Sequence, residues 1–162
     1  MTAPLLSATD ISVRLGGRTI VDNASVTLNA GEFVALVGPN GAGKTTLLKA
    51  LAGLVPAFGT VEFEGQATTE IKPRERARHL AYLPQGHSFS WPLPAGEIVA
   101  LGRYPHADPF SPVSDQDRDA VAHALEVTGT RAFAERIVTT LSGGERARVA
   151  LARVLATQAK VV

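Results

Sequence analysis

The chain has 162 residues, of which 45% are hydrophobic and 19% are charged, a balance that predicts one folded domain and excludes an intrinsically disordered chain. Sixteen basic side chains against fifteen acidic ones leave a net charge of +1, which gives no reason to expect nucleic acid as a partner. The lack of cysteine excludes disulfides, thiolate zinc sites and a thiol nucleophile. The N-terminal sequence shows no secretory signal, and no apolar run approaches the roughly 18 residues of a membrane span, so we expect a soluble chain.

Alternating apolar residues predict antiparallel strands in the first part of the chain. Residues 11–15 and 26–28 alternate apolar with polar side chains, and Gly16–Gly17 predicts the turn between them. Residues 60–65 repeat the pattern and predict a half-exposed strand. The segment Phe33–Val37 differs because it is continuously apolar, which is typical of a strand buried on both faces of a parallel sheet.

Helical spacing of apolar residues predicts four helices. They are expected after residue 43 with a stop near Gly53, over residues 97–103, over roughly residues 115–128, and from Ser142 onward. In the last helix, the side chains expected to face the core are Ala147, Ala150, Leu151, Val154 and Leu155.

The segment from Gly38 to Thr45 matches the P-loop pattern G-x-x-x-x-G-K-[ST] between the predicted strand and the first helix. Glycines in this pattern let successive backbone N–H groups converge on phosphate oxygens, and the following helix adds its positive N-terminal end. Lys44 is then expected to reach the β- and γ-phosphates, and the Thr45 hydroxyl to ligate Mg²⁺. The alternative is a glycine turn that contains a lysine by chance.

A second glycine-bearing helix start lies at Leu141-Ser142-Gly143-Gly144-Glu145. Ser142 and Glu145 have the spacing of a capping box, in which the two side chains cap each other's backbone N–H groups. That structural role suffices to explain the segment. The alternative is a second anion site, because free N–H groups at a helix start attract phosphate.

Three motifs, in this order and spacing, resemble the ATP-binding subunits of ABC transporters: the P-loop at 38–46, Leu83-Pro84-Gln85, and LSGGE at 141–145 followed by RARVALARVLA. The segment 97–106 further resembles importers of iron–siderophore, haem or cobalamin. The resemblance implies an α/β P-loop nucleotide-binding domain of ABC type, with an N-terminal antiparallel β portion and a helical insert. It implies one incomplete domain over residues 1–162, with 1–86 and 131–162 as the nucleotide-binding core, 87–130 as the helical subdomain, and the C-terminal strands missing.

The same resemblance implies ATP and Mg²⁺ as cofactors. The residues expected to hold the ATP phosphates are Gly38, Pro39, Asn40, Gly41, Ala42, Gly43, Lys44, Thr45 and Thr46. Thr45 and Gln85 are expected at the metal, and Lys44 and Gln85 support catalysis. Ser142, Gly143, Gly144 and Glu145 are expected to contact the γ-phosphate of ATP bound on a second copy.

The partners implied by the resemblance are a second ATP-binding subunit in a head-to-tail homodimer and membrane permease subunits, which the helical subdomain would contact. A periplasmic or extracellular binding protein would take part indirectly. The implied location is cytoplasmic, peripheral on the inner face of the cell membrane.

The sequence departs from the family pattern at three places. Leu15 stands where an aromatic residue usually contacts adenine, and Glu145 replaces the commoner glutamine. The strand that ends in the metal-binding aspartate is expected to begin near Val161, and neither it, the glutamate that activates water nor the switch histidine is present. We therefore expect weak or no ATP hydrolysis from these residues alone. The alternatives are a binding-only or non-functional product and a non-transport ABC ATPase, whereas LSGGE argues against a small P-loop kinase.

Overall fold

The computed structural model describes residues 3–86, 89–108 and 111–162. Within them, four strands form one antiparallel sheet in the order β2-β1-β3-β4: β1 (Leu6–Leu15), β2 (Arg18–Leu28), β3 (Phe58–Phe63) and β4 (Gln66–Ala67). The turn at Gly16–Gly17 joins β1 and β2 as predicted. The antiparallel N-terminal portion is therefore confirmed, and the strand expected at 60–65 begins two residues earlier.

Five α-helices lie in the described residues: α1 (Lys44–Leu51), α2 (Pro73–His79), α3 (Ala95–Ala100), α4 (Asp115–Val127) and α5 (Gly143–Leu155). Helix α3 starts two residues before the predicted helix and continues as a 3₁₀ turn over Leu101–Arg103. The start of α4 is as predicted, because the Ser114 hydroxyl accepts a hydrogen bond from the Asp117 N–H. None of the helices in the described parts of the chain has the length and apolar character that crossing a bilayer requires.

The chain divides into two compact units. The first comprises residues up to 76 together with Val161, and its core lies between the β1–β2 hairpin and α1. Ile11 and Val13 of β1 are fully buried there, and Leu47 and Leu51 of α1 pack against the same cluster. This packing fixes α1 on the sheet and thereby sets where its N-terminal end emerges.

The second unit comprises residues 77–160 together with Val162. Its core is formed by α3, α4, α5 and the 3₁₀ turns at Arg131–Phe133 and Val138–Thr140. Val99, Val138 and Val149 are fully buried in it. Helix α5 is thus held along its length by the other helices of this unit.

The prediction of a buried strand at Phe33–Val37 is wrong. The segment has no regular structure, and 93% of Phe33 and 85% of Val37 are exposed. A strand buried on both faces needs hydrogen-bonded neighbours, and no described strand pairs with this segment. Its apolar composition suits burial, but composition does not supply the neighbouring strands.

The predicted core face of α5 is partly wrong. Ala150 and Val154 are buried as expected, but Leu151 is 37% exposed, and the fully buried side chains also include Val149 and Ala152. Apolar residues occupy most of the helix circumference here, and successive residues are separated by about 100°. Periodicity alone therefore did not distinguish two adjacent faces.

Candidate functional site

The P-loop segment leads from exposed coil directly into α1. Gly43 is the N-cap of this helix, and no side chain caps it. The first N–H groups of an α-helix have no partner within the helix, so the first turn of α1 presents uncovered donors. Helices α4 and α5, in contrast, begin with serine caps. An uncapped helix start after a glycine-rich loop is suited to an anion such as phosphate.

Gly43 fixes the loop against the sheet. Its φ is 85°, and a Cβ atom placed on it would lie 2.6 Å from the carbonyl oxygen of Ile20 and 3.3 Å from the Val21 side chain in β2. Only glycine accommodates both this backbone conformation and this close approach. The sequence motif predicts glycine here so that the backbone can approach a phosphate. The structure shows that close packing against β2 also requires glycine at this position.

Replacing Gly43 with alanine is expected to destabilise the chain by about 2–5 kcal/mol, from the left-handed backbone and from overpacking against β2. Gly41→Ala is the matched control, because Gly41 has a φ of 84° and nothing within 4 Å of its Cβ position. Gly41→Ala should be destabilised by only about 1–2 kcal/mol, the cost of the left-handed backbone conformation. Urea denaturation measures both, and equal losses would contradict the close approach to Ile20.

Lys44 is drawn into the P-loop. Its Nζ donates hydrogen bonds to the carbonyl oxygens of Gly38 at 2.7 Å and Pro39 at 2.8 Å, while the Ala42 N–H donates to the Pro39 carbonyl at 3.3 Å. An ammonium group has three donors, so one remains for a phosphate oxygen. The loop therefore places a positive charge beside the uncovered amides of α1. The next residue, Thr45, is exposed in the first turn.

The capping box predicted at the start of α5 is confirmed. The Ser142 Oγ accepts from the Glu145 N–H at 3.3 Å, and the Glu145 Oε2 accepts from the Ser142 N–H at 2.7 Å. Gly143 and Gly144 have open space where a Cβ would lie, and neither has a positive φ. Neither packing nor backbone conformation within the described residues explains these two glycines, which leaves room for the close approach of another molecule.

Glu145 carries a firmly ionised carboxylate. The backbone N–H and the hydroxyl of Ser142 lower the pKa of Glu145, and the positive charges of Arg136 and Arg148 lower it further. The Arg136 guanidinium lies 3.3 Å from the Glu145 carboxylate. A phosphate that approaches α5 would therefore meet both the N–H donors of the helix and a negative side chain.

Gln85 lies in an exposed bend of the second unit, whereas Thr45 belongs to the first. Within the described residues, the hydrogen bonds among predicted site residues are those of Lys44 with Gly38 and Pro39, of Ala42 with Pro39, and of Ser142 with Glu145. No group of three His, Asp or Glu side chains in the described ranges could hold a metal ion. A single threonine hydroxyl nevertheless suits Mg²⁺, which takes most of its ligands from water and phosphate.

A groove of about 630 Å³ lies in the second unit, between α4 and the segment that follows α3. Leu101, Val113 and Val121 contribute apolar surface, and Arg103 and Asp117 contribute charge. No sequence pattern predicts this groove or the burial of Arg103. The available signal was a lone arginine that follows the apolar residues of the predicted short helix.

His106, in the same region, is half-buried and donates from Nε2 to the carbonyl oxygen of Thr157 at 2.9 Å. Burial is the largest influence on its pKa and lowers it. The Thr157 hydrogen bond and Asp117 act in the opposite direction, while the positive charges of Arg103 and Arg78 lower the pKa further. The folded chain therefore favours the neutral imidazole.

The free energy of unfolding is expected to fall as the pH is lowered below about 6.5, the pKa of an unperturbed histidine. Below that pH the unfolded chain binds a proton at His106 more readily than the folded chain does. The free energy of unfolding stops falling once the pH is below the pKa of His106 in the folded chain. Melting temperatures from pH 8 to 5 should fall less steeply in His106→Gln. His123→Gln, on the exposed side of α4, is the control for exchanging a histidine for glutamine. An unchanged slope in His106→Gln would contradict this account.

The glycine-rich loop at 38–45, its lysine and the uncapped helix that follows have the arrangement of a P-loop. The protein-family model for ABC transporters matches residues 21–162, and the chain belongs to this family. It is 48% identical over 159 residues to the hemin import ATP-binding protein HmuV of Streptomyces coelicolor, covering 98% of this chain and 56% of that protein. It is 42% identical over 158 residues to the cobalamin import ATP-binding protein BtuD of Halobacterium salinarum, covering 97% and 39%.

Solved structures show the same fold. One is an inward-facing putative metal-chelate ABC transporter, with a TM-score of 0.77 and 26% identity over 98% of this chain and 57% of that one. Another is the ADP conformation of an ATP-binding cassette of an ABC transporter, with a TM-score of 0.80 and 25% sequence identity. The match covers 98% of this chain and 66% of that one. These neighbours confirm the predicted α/β fold of ABC type. The chain spans about half the length of the curated hemin import relatives it matches.

Proposed function

We propose that this protein is an ATP-binding subunit of an ABC importer, which couples ATP binding and hydrolysis to uptake of an iron chelate, haem or cobalamin. The observation that carries the proposal is the placement of the Lys44 ammonium inside the P-loop, beside the uncapped start of α1. The names of the hemin and cobalamin import relatives support the substrate class.

The proposed site holds ATP through the loop at 38–46, with Lys44 donating to the phosphates. Mg²⁺ neutralises phosphate charge when it is bound, and Thr45 and Gln85 are the residues proposed to hold it. Ser142–Glu145 would contact the γ-phosphate of ATP on a second copy. The open space around Gly143 and Gly144 supports that contact, because glycine lets a ligand approach the backbone closely.

The proposed partners are a second ATP-binding subunit and membrane permease subunits, with a binding protein acting indirectly and no nucleic acid. Within the proposed helical subdomain, residues 87–130, exposed apolar side chains offer a surface for the permease: Trp91, Leu101, Tyr104 and Val113. Leu101, Tyr104 and Val113 line one groove, and large exposed apolar side chains grouped in this way commonly mark protein interfaces. This contact would hold the subunit on the cytoplasmic face of the membrane.

We further propose that residues 1–162 form one ABC domain that is completed by strands not among them, with the core at 1–86 and 131–162. The exposed Phe33–Val37 supports this proposal, because a continuously apolar segment suits a strand with neighbours on both sides. The same exposure also fits the alternative that no further strands cover this segment. In that case the nucleotide site remains incomplete, and the protein binds ATP without hydrolysing it.

Three measurements test these proposals. Titration with a fluorescent ATP analogue, with ATP and AMP as competitors, measures binding at the P-loop, and phosphate release separates hydrolysis from binding alone. ATP should compete far better than AMP, since the loop contacts the β- and γ-phosphates, and equal competition would contradict the site. Co-purification with a membrane permease supports the importer, whereas a chain isolated without one favours the non-transport alternative.

A further inference from the structure

Arg103 is the one charged residue that is buried among the described residues, with only 6% of its side chain exposed. It ends the 3₁₀ turn that follows α3. Taking a guanidinium out of water is unfavourable unless its charge is paired and its donors are hydrogen-bonded. The hydrogen-bond partners of Arg103 therefore indicate the role of this buried side chain.

Arg103 joins two helices. Its Nε donates to the Asp117 Oδ1 at 2.7 Å in the first turn of α4, and its Nη1 donates to the carbonyl oxygen of Ala156 at 2.8 Å. Ala156 is the C-cap of α5, so the guanidinium lies at the end of the helix where carbonyl groups lack partners and the helix dipole is negative. The side chain thus binds both the start of α4 and the end of α5.

A second group at the end of α5 is directed at the same guanidinium. The Gln158 Oε1 accepts from the Arg103 Nη1 at 3.1 Å, and Gln158 has a φ of 54°. A left-handed residue just beyond a helix is usually glycine or asparagine, for which this backbone conformation is cheaper. A long amide side chain at this strained position therefore points to a specific contact with Arg103.

Helix α5 connects this anchored end to the start that carries Ser142. Its 13 residues span about 18 Å at 1.5 Å per residue, and buried side chains hold it as one rigid element. A displacement at Ala156 is therefore transmitted to the N–H donors at Gly143 and Gly144.

We propose that Arg103 is a positioning residue, which anchors the C-terminal end of α5 and so sets where the Ser142–Glu145 segment meets phosphate. The inference rests on the proposed function, because the segment must contact ATP for its position to affect the rate. Arg103 itself has no part in binding at the P-loop. Its removal should lower kcat and leave nucleotide binding at Lys44 intact.

The test measures ATP hydrolysis by the protein isolated with its native partners, and a wild-type protein that hydrolyses no ATP in that preparation would also overturn the proposal. Arg103→Met should lower kcat at least tenfold at a temperature where the variant remains folded, while the Kd of a fluorescent ATP analogue at the P-loop changes less than twofold. Arg103→Lys keeps the charge but not the planar fork of donors, and it should recover part of the loss. An unchanged kcat, or an equal loss of binding affinity, would overturn the positioning role.

Gln158→Asn is the second variant, in case Arg103→Met does not fold. Asparagine tolerates the left-handed backbone but is too short for the present hydrogen bond to Arg103. It should lower kcat two- to fivefold without changing the melting temperature by more than a degree or two, and a wild-type kcat would contradict the proposal. Lys44→Ala separates failure of the proposed function from failure of the positioning role. If Lys44→Ala retains full hydrolysis, the proposed function is wrong, independently of the result for Arg103.

Discussion

Replacing Lys44 with alanine is expected to weaken ATP binding about 100-fold. A hydrogen bond to a charged group contributes about 1.5–3 kcal/mol, and each 1.4 kcal/mol changes affinity tenfold. Lys44 is the residue of the P-loop that carries a full positive charge, and two loop carbonyls already hold it in place. Titration of the purified variant with a fluorescent ATP analogue measures the loss.

Lys49→Ala is the matched control for Lys44→Ala. Lys49 lies in the last turn of the same helix, so its removal changes the net charge of the chain equally but leaves the loop intact. It should bind ATP within about twofold of the wild type. A comparable loss in both variants would mean that long-range charge, and not the loop geometry, governs affinity. Unchanged binding by Lys44→Ala would contradict the P-loop site itself.

The second large effect is expected at Gly102, between α3 and α5. A Cβ atom on Gly102 would lie 2.1 Å from the Arg153 carbonyl oxygen and 3.1 Å from the Ala156 Cβ. Backbone atoms cannot move aside by changing rotamer, so Gly102→Ala must push the 3₁₀ turn away from α5. Overpacking costs about 1–3 kcal/mol where side chains can adjust, and we expect at least the upper value here.

Gly96→Ala provides the comparison, because Gly96 lies within α3 and its Cβ position is 3.4 Å from the nearest atom, the Ala134 carbonyl oxygen. Alanine favours a helix by about 1 kcal/mol over glycine, so this variant should be close to neutral or slightly stabilised. Chemical denaturation of both variants gives the difference in free energy of unfolding. If Gly102→Ala is as stable as Gly96→Ala, the close packing of the turn on α5 is incorrect.

The sequence predicts best where the cause of structure is local. Ser114 with Asp117 and Ser142 with Glu145 cap helices through bonds that span three residues, so the pattern alone identifies both starts. The β1–β2 hairpin is equally local. The P-loop is also determined locally, because Gly38 and Lys44, which hydrogen-bond to each other, lie within one segment of seven residues.

Features that depend on distant neighbours are those that the sequence did not predict. Arg103 is 14 residues from Asp117 and 53 from Ala156, and nothing in its own segment identifies either partner. The buried face of α5 is selected by α3 and α4 from two faces of similar composition. The exposure of Phe33–Val37 has the same origin, because pairing of that segment depends on strands elsewhere.

The exposed Phe33–Val37 also has a consequence for the behaviour of the chain in solution. Its five residues include no charge, no proline and no glycine, and no strand in the described parts of the chain pairs with their backbone, which can therefore accept a strand from another molecule. Short segments of this composition template intermolecular β-structure when they are not covered. A chain that keeps this segment uncovered is therefore prone to aggregate as its concentration rises, and a strand that covered it would act as a solubility element as much as a part of the nucleotide site.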